Sequence, residues 1–196
     1  MDFQSAEHIE RALFHLGELL DAEAAQPIAL LACGAASLIV QGLVPRTTND
    51  IDLLAYFGHD PPDQRDIERH TELPPTVSRL VARVAADMDL DETWLNLGPS
   101  SLVQLGLPDG LLARALPKRY GRALTVFYVD RLDQVHLKLY ACLSGEERHV
   151  ADLKALRPTD AEMLQARRWI ETAMADGVLR SALEALMRDL GYGHVI

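Results

Sequence analysis

The stretch that decides the fold lies in the first third of the chain. It joins an apolar run to a glycine turn and then to a pair of aspartates: Ile28-Ala29-Leu30-Leu31-Ala32-Cys33-Gly34-Ala35-Ala36-Ser37, and further on Arg46-Thr47-Thr48-Asn49-Asp50-Ile51-Asp52-Leu53-Leu54-Ala55-Tyr56. Six apolar residues that end at a glycine predict a buried strand at 28–33. Residues 35–41 have the composition of a short helix, which Gly42 ends. Residues 50–56 predict a second strand.

The two aspartates of this stretch indicate a metal site. Alternate residues of a strand point to the same face, so the Asp50 and Asp52 side chains project together, roughly 6.6–6.8 Å apart along the strand. Like charges at this spacing repel each other unless a cation lies between them, and carboxylate oxygens suit Mg²⁺. An Asp-x-Asp pair alone is a weak signal, and a glycine after a strand is usually only a turn. Charged side chains on an apolar strand cost stability unless a ligand satisfies them, so the ordered combination predicts a phosphate-plus-metal site.

Periodicity along the rest of the chain predicts an α/β fold of the α+β type. We expect a first helix at 5–22 capped by Ser5, a helix capped by Thr76, a short strand at 94–97 and a strongly β-prone strand at 124–129. Beyond residue 130 the pattern is helical, with helices at about 131–143, 147–156, from 159 and at 179–190. The predicted domains are therefore an α/β core at 1–130 and a helical region at 131–196.

Composition limits the classes of protein that the chain can represent. No apolar run reaches the ~18 residues that a membrane span needs, and the first residues lack the pattern of a signal peptide. The two cysteines, Cys33 and Cys142, lie in apolar contexts and predict buried free thiols. We therefore expect a cytoplasmic protein without a membrane partner. A net charge of −10 argues against broad nonspecific binding of nucleic acid.

One cluster of cations departs from this acidic background. It consists of Arg114, Lys118, Arg119 and Arg122, with Tyr120 among them. Phosphate contacts and base stacking at such a cluster would hold an RNA acceptor. The alternative, which is commoner for a charged run, is a solvated surface. Both interpretations stay open at the level of sequence.

The order of these motifs resembles the polymerase β-like nucleotidyltransferase superfamily, which has a glycine turn followed by Asp-hydrophobic-Asp-hydrophobic. More narrowly, Cys-Gly-Ala-Ala-Ser-x8-Arg-x-Thr-x-Asp-Ile-Asp-Leu is similar to the AbiEii-type bacterial nucleotidyltransferases, some of which are toxins of toxin–antitoxin pairs. The second half agrees with this group through Lys138-Leu139-Tyr140-Ala141, then Arg148, then Ala151-Asp152-Leu153. The resemblance covers about residues 28–56 and 124–157.

The resemblance implies a small mixed sheet with flanking helices, and a C-terminal helical bundle packed on the active-site cleft. It makes Asp50 and Asp52 the ligands of Mg²⁺ or Mn²⁺ and, with Lys138 and Asp152, the catalytic residues. The remaining assignments are nucleotide contacts: Gly34, Ala35, Ser37, Arg46, Thr48 and Lys138. From the residues alone, a solvated lysine is the commoner interpretation of Lys138, and Asp152 is equally an intrahelical partner of Arg148. Arg46 and Thr48 orient Asp50, contact phosphate or belong only to the loop before the strand.

Two departures from the family pattern affect the functional expectation. Ala35 stands where the family has serine or glycine, and the third carboxylate of many such enzymes has only weak candidates here, Asn96 and Asp130. The favoured interpretation is a metal-dependent enzyme that transfers a nucleotidyl group from an NTP to an RNA, protein or small-molecule acceptor. The alternative is a weak or inactive nucleotidyltransferase-fold module that acts through a protein partner, such as an antitoxin. A purely structural α/β protein would leave the two aspartates unexplained.

Overall fold

A mixed five-stranded sheet forms the centre of the first part of the chain. A computed structural model describes residues 2–173 and 177–196, and the chain divides into two compact units, Met1–Asp130 and Arg131–Ile196. The strands of the first unit are β1 (Ile28–Cys33), β2 (Ile51–Phe57), β3 (Leu95–Asn96), β4 (Leu116–Arg119) and β5 (Leu124–Tyr128), in the spatial order β3-β2-β1-β5-β4. The prediction of a mixed α/β fold is confirmed.

Strand β1 is central, and all six of its residues are buried. It runs antiparallel to β2 and parallel to β5, while β3 runs parallel to β2 and β4 antiparallel to β5. A strand covered on both faces reads as a continuous apolar run, which is why its sequence was recognisable. The prediction that 28–33 and 50–56 are sheet neighbours is confirmed. Pairing of β1 with β2 shifts register between Leu31 and Ala32, so a bulge lies close to the aspartates.

Helices of the first unit flank this sheet. They are α1 (Ala6–Ala22), α2 (Gly34–Val40), α3 (Pro75–Met88) and two single turns, α4 (Leu102–Leu105) and α5 (Leu111–Arg114). Ser5 caps α1 as predicted, since its hydroxyl accepts a hydrogen bond from the His8 N–H at 3.3 Å. Helix α3 was expected to follow a cap at Thr76, but it begins at Pro75 and its N-cap residue is Pro74. Pro75 occupies the first turn, where its fixed φ and missing N–H cost nothing.

The second unit consists of helices. These are α6 (Arg131–Cys142), α7 (Glu147–Leu156), α8 (Asp160–Ala173) and α9 (Gly177–Asp189), and α6 packs against both α7 and α8. The start of α8 is a capping box: the Glu162 carboxylate accepts from the Thr159 N–H at 2.7 Å, and the Thr159 hydroxyl accepts from the Glu162 N–H at 3.3 Å. In the parts of the chain that are described, no helix is long and apolar enough to cross a membrane. Both cysteines are buried and unbridged, as predicted.

Candidate functional site

The sheet topology brings the functional residues of the first unit to one edge. Because β5 is parallel to β1, their carboxyl ends lie together, and β2, which is antiparallel to β1, begins at that same edge. In the register, Asp52 pairs with Cys33 on one side and with Asn96 on the other. Gly34, Asp50, Asp52 and Asn96 therefore share this end of the sheet, which we call the acidic edge.

Gly34 and Asp52 are in close contact within the acidic edge. Gly34 adopts a φ of +68°, and a Cβ added to it would lie 2.7 Å from the Asp52 carboxylate oxygen Oδ2. Both features require glycine, the first because L-residues rarely adopt a positive φ and the second because the space is already filled. The turn between β1 and α2 therefore has the shape that lets the Asp52 carboxylate lie directly against the backbone. Asp52 itself is only partly buried, so its carboxylate retains access to solvent.

Asp50 is held from two sides. The Thr48 hydroxyl donates to Asp50 Oδ1 at 3.3 Å, and the Asn96 amide donates to Asp50 Oδ2 at 3.5 Å. Both distances are longer than those of ordinary hydrogen bonds, so each contact is weak and the carboxylate can exchange it for a ligand. The interpretation of Thr48 as a residue that orients Asp50 is supported by this contact.

The loop that precedes Asp50 is tied to the N-terminal segment. Phe3 is fully buried, and its backbone exchanges hydrogen bonds with Thr48: Phe3 N–H to Thr48 O at 2.7 Å and Thr48 N–H to Phe3 O at 3.2 Å. The Phe3 ring packs edge-on against Trp94, whose carbonyl accepts the first N–H of β2, from Ile51, at 2.6 Å. Phe3 thus fixes both the Thr48 loop and the start of β2. The sequence offered no signal for this role, because nothing in a local pattern links residue 3 to residue 48.

Asn96 occupies the strand next to Asp52, where a third carboxylate was sought. Its Oδ1 accepts from the Gly98 N–H at 2.8 Å, so its amide nitrogen faces Asp50. Asp130 follows β5 at the same edge and is half-buried. Within residues 2–173 and 177–196, no group of three or more His, Cys, Asp and Glu side chains is arranged to hold a metal ion. The carboxylates of the acidic edge are thus Asp50 and Asp52, with Asp130 following β5, and Asn96 adds a neutral amide beside Asp50.

Two residues expected to line a triphosphate are found inside the fold. Ala35 is 6% exposed and Ser37 is fully buried. The Ser37 hydroxyl donates to the Val129 carbonyl at 3.3 Å, and the Gln41 amide donates to Ser37 Oγ at 3.0 Å and to the same carbonyl at 2.9 Å. Ser37 thus connects α2 to the end of β5, and its hydroxyl does not point out of the fold toward a phosphate. Arg46 is half-buried and donates to the Thr47 carbonyl at 3.1 Å.

Lys138 and Asp152 form a buried ion pair in the second unit. Lys138 Nζ donates to Asp152 Oδ2 at 2.7 Å, and the two residues are 5% and 2% exposed. The alternative of a solvated lysine is wrong, because the side chain is buried. Arg148 pairs with Glu146 at 2.7 Å, and Asp152 accepts from Lys138 on the neighbouring helix. The roles that the resemblance gives to this pair in nucleotide chemistry stay predictions.

The surroundings of this pair disfavour additional charge. Burial raises the pKa of the Cys142 thiol to about 11, so it stays protonated. Burial, and next the positive charge of Lys138, lower the pKa of His149. The His149 Nδ1 atom is buried and has no hydrogen-bond partner among the described residues. A neutral thiol and a neutral imidazole therefore border the ion pair of Lys138 and Asp152, which joins α6 to α7.

The cationic cluster of the first unit is tied up in contacts with acidic residues. Lys118 contacts Glu10, Arg119 lies 3.9 Å from Asp60, and Arg122 lies 3.7 Å from Asp21. Arg114 donates to the Asp109 carbonyl at 2.8 Å. These partners reduce the positive potential that phosphate contacts would need. The arrangement therefore lends no support to an RNA acceptor at this cluster.

Comparison with known proteins adds no relative to this picture: the chain matches no protein-family model, no curated protein and no solved structure. The motif and the geometry of the acidic edge are therefore what indicate a function.

Proposed function

We propose that the acidic edge binds a nucleoside triphosphate together with a divalent metal and transfers its nucleotidyl group to a hydroxyl acceptor. The observation that carries this proposal is the contact of the Asp52 carboxylate with Gly34, at a turn where no Cβ would fit. Asp50 directly precedes Ile51, the first residue of the same strand. Carboxylates on alternate residues at the end of a sheet strand are an arrangement that suits a hard divalent cation, so a metal ligand site accounts for this pair of aspartates.

Asp50 and Asp52 are the residues that would hold Mg²⁺ or Mn²⁺, because carboxylate oxygens are the ligands that these hard cations prefer. A divalent ion there would supply Lewis-acid stabilisation of the charge that develops on the phosphates. Thr48 and Asn96 orient Asp50, while Gly34 leaves the space in which Asp52 lies. The close approach of Asp52 to Gly34 and the two weak contacts of Asp50 bring both carboxylates to one edge before a substrate arrives, and the Asp50 contacts can be exchanged for a metal ion.

The transfer itself forms one bond and breaks one. The acceptor oxygen bonds to the α-phosphorus, the bond from that phosphorus to the α,β-bridging oxygen breaks, pyrophosphate leaves, and the acceptor proton passes to solvent. Lys138 is the residue to which the resemblance assigns a phosphate contact, and we assign Asp152 the positioning of Lys138. A carboxylate already paired with a lysine is a poor proton acceptor, so Asp152 suits this role better than that of a base. NTP-dependent chemistry also implies a cytoplasmic protein.

Incubation with each α-labelled NTP tests the proposal. The purified chain with Mg²⁺ or Mn²⁺ is mixed with total RNA, with lysate protein and with a small-molecule extract, and each fraction is examined for label. We expect label in one fraction, and we expect Asp52→Asn to abolish it without lowering the melting temperature. Absence of label from every fraction with the wild-type chain would contradict nucleotidyl transfer.

A second candidate is a nucleotide-binding module that performs no transfer and acts through a protein partner. The neutral Asn96 beside Asp50 favours it, because a third carboxylate would otherwise complete the metal site. The buried Ser37 hydroxyl favours it for a similar reason. This candidate predicts a rise in melting temperature with metal and NTP, since a ligand of the native state stabilises it by mass action. Such a rise without any labelled product would decide for the binding module.

A further inference from the structure

A small pocket lies within the second unit, at the end of α7. Its volume is about 260 Å³, and it is lined by Leu153, Lys154, Arg157, Pro158, Leu190 and Tyr192. Leucine and proline side chains form the apolar part of the lining, and two cations and a tyrosine supply the polar groups. The pocket involves none of the residues assigned to nucleotide chemistry, so it is independent of the proposed function.

The walls of the pocket are fixed by the local structure. Helix α7 ends at Arg157, which adopts a left-handed φ of +46° and turns the chain into Pro158. The Tyr192 hydroxyl donates to the Pro158 carbonyl at 2.6 Å, and the Tyr192 N–H donates to the Met187 carbonyl at 2.8 Å. These bonds hold the C-terminal segment against the end of α7. Since the tyrosine proton is already donated, Lys154 and Arg157 are the lining side chains left to bind an anion.

Lys154 and Arg157 are the two cations that line the pocket. Both are exposed, and neither has an acidic partner among the residues that the structure describes. Several other arginines of the second unit are paired with glutamates, as with Arg131 and Glu162 or Arg167 and Glu171. Two carboxylates lie near Tyr192, but Asp160 contacts His194 and Glu162 contacts Arg131. Lys154 and Arg157 therefore place two positive charges beside the apolar cavity, which favours a negatively charged ligand.

We propose that this pocket docks an acidic segment of a partner protein, with one aliphatic or aromatic side chain inserted and an adjacent carboxylate on Lys154 and Arg157. The volume of the pocket favours a polypeptide, because it falls below the roughly 300–1,000 Å³ typical of small-molecule sites and suits a single side chain. The cations are on the exposed rim and the apolar groups lie inside, which is the arrangement of an anchored protein contact.

Titration of the full chain with short capped peptides tests the proposal. The probe carries phenylalanine flanked by two aspartates, and the control peptides replace phenylalanine with alanine or both aspartates with lysine. We expect amide shifts in the NMR spectrum at Leu153, Lys154 and Tyr192 with the probe only. Equal binding of either control peptide, or no shift at these residues, would overturn the proposal.

Charge reversal shows whether the pocket cations are responsible. Lys154→Glu should weaken probe binding roughly fivefold, the scale of an exposed ion pair that is lost and replaced by repulsion. Arg168→Glu is the matched control, because Arg168 is also exposed in the second unit and is not part of the pocket. It should change the affinity by less than about twofold. If both variants weaken probe binding equally, the effect comes from the net charge of the protein, and the proposal of a specific pocket is overturned.

Arg157→Gly separates binding from folding. Glycine accepts the left-handed backbone at this position more readily than arginine, so the melting temperature should stay equal or rise. Loss of the guanidinium should still weaken probe binding roughly threefold or more. A fall in melting temperature, or unchanged binding, would show that Arg157 serves the fold and not a ligand.

Discussion

Gly34 and Gly42 share a backbone conformation, with φ of +68° and +69°, but their surroundings differ. A Cβ on Gly34 would lie 2.7 Å from the Asp52 carboxylate, whereas a Cβ on Gly42 would meet nothing within 4 Å. Alanine at either position should cost about 1 kcal/mol of stability, because both backbones disfavour an L-residue. Only Gly34→Ala should also displace the Asp52 carboxylate. We therefore expect Gly34→Ala to lose the rise in melting temperature with Mn²⁺ and NTP, and Gly42→Ala to keep it.

The comparison of these two variants isolates the acidic edge from the backbone effect. Thermal unfolding with and without metal and NTP measures both quantities in one experiment. If both variants keep the ligand-induced rise, the contact between Gly34 and Asp52 has no part in binding. If both lose it, the effect belongs to the altered backbone of α2 and not to Asp52.

Asn96 offers a gain-of-function test at the same edge. Its amide faces Asp50 Oδ2, and its Oδ1 accepts from the Gly98 N–H. Asn96→Asp keeps the second contact and places a third carboxylate beside Asp50. Without metal the added repulsion should lower the melting temperature, and with Mn²⁺ the variant should be stabilised more than the wild type. A variant that matches the wild type under both conditions would remove Asn96 from any metal site.

At the scale of single residues, the sequence located the aspartates and the glycine turn but not the direction of Ser37. The apolar run that ends at Gly34 and the acidic start of the next strand are local patterns, and they were sufficient to place Gly34 and Asp52 at the ends of β1 and β2. The direction of the Ser37 hydroxyl depends on the Val129 carbonyl, 92 residues away in the chain. No local pattern carries that information.

Lys138 and Asp152 join helices α6 and α7. Variants of this ion pair can distinguish its contribution to stability from a contribution to nucleotide chemistry. Removing one partner leaves a buried uncompensated charge, so Asp152→Leu should destabilise the protein by about 3–5 kcal/mol. Replacing both partners with apolar residues is often neutral, so Lys138→Met combined with Asp152→Leu should recover most of this loss. If the pair serves nucleotide chemistry, the double variant should fold and yet fail to label any acceptor. Denaturant unfolding and the labelling assay provide the two measurements, and normal labelling would make the pair purely structural.

The same helices predict a dependence of stability on pH. The pKa of His149 is lowered in the folded protein by burial and by Lys138. The unfolded chain, with an ordinary histidine pKa of about 6.5, then binds a proton that the folded state resists. Stability should therefore be full above pH 6.5 and should decrease as the pH falls below it. His149→Gln should flatten this decrease in denaturant unfolding at pH 7.5 and 5.5.

His8 provides a second, independent test of the same pH dependence. Its pKa is also lowered, mainly by burial, and it belongs to the first unit. His8→Gln should remove a separate part of the pH dependence, so the double variant should be flatter than either single variant. If the wild-type chain has the same free energy of unfolding at pH 7.5 and 5.5, the pKa values of His149 and His8 are not lowered in the folded protein.

At the scale of elements, long periodic segments were predictable and short edge elements were not. The helices beyond residue 130 and the capping box at Thr159 follow from local chemistry. Strand β4 was missed, because Leu116-Pro117-Lys118-Arg119 lacks apolar alternation and contains a proline. The strand is at the edge of the sheet, where proline and cations are tolerated because one side makes no pairing.

For the molecule as a whole, the order of the elements determined the fold class, and long-range contacts determined the site. A buried strand, a glycine turn, a short helix and an acidic strand can form a sheet edge only if the two strands are neighbours, and they are. The contact of Phe3 with Thr48 and the approach of Asn96 to Asp50 link distant segments. These contacts form only in the packed fold and leave no local sequence pattern, so the sequence alone could not predict them.

The metal-binding claim for the acidic edge is tested most directly by crystals grown with Mn²⁺ and an NTP analogue that resists transfer. We expect an anomalous peak from Mn²⁺ roughly 2.0–2.3 Å from carboxylate oxygens of both Asp50 and Asp52, with phosphate oxygens of the analogue completing the coordination. The peak should be absent in Asp52→Asn crystals grown in the same way. Two results would contradict metal binding by Asp50 and Asp52. One is bound analogue with its metal away from these carboxylates, and the other is the absence of a Mn²⁺ peak at either of them in the wild type.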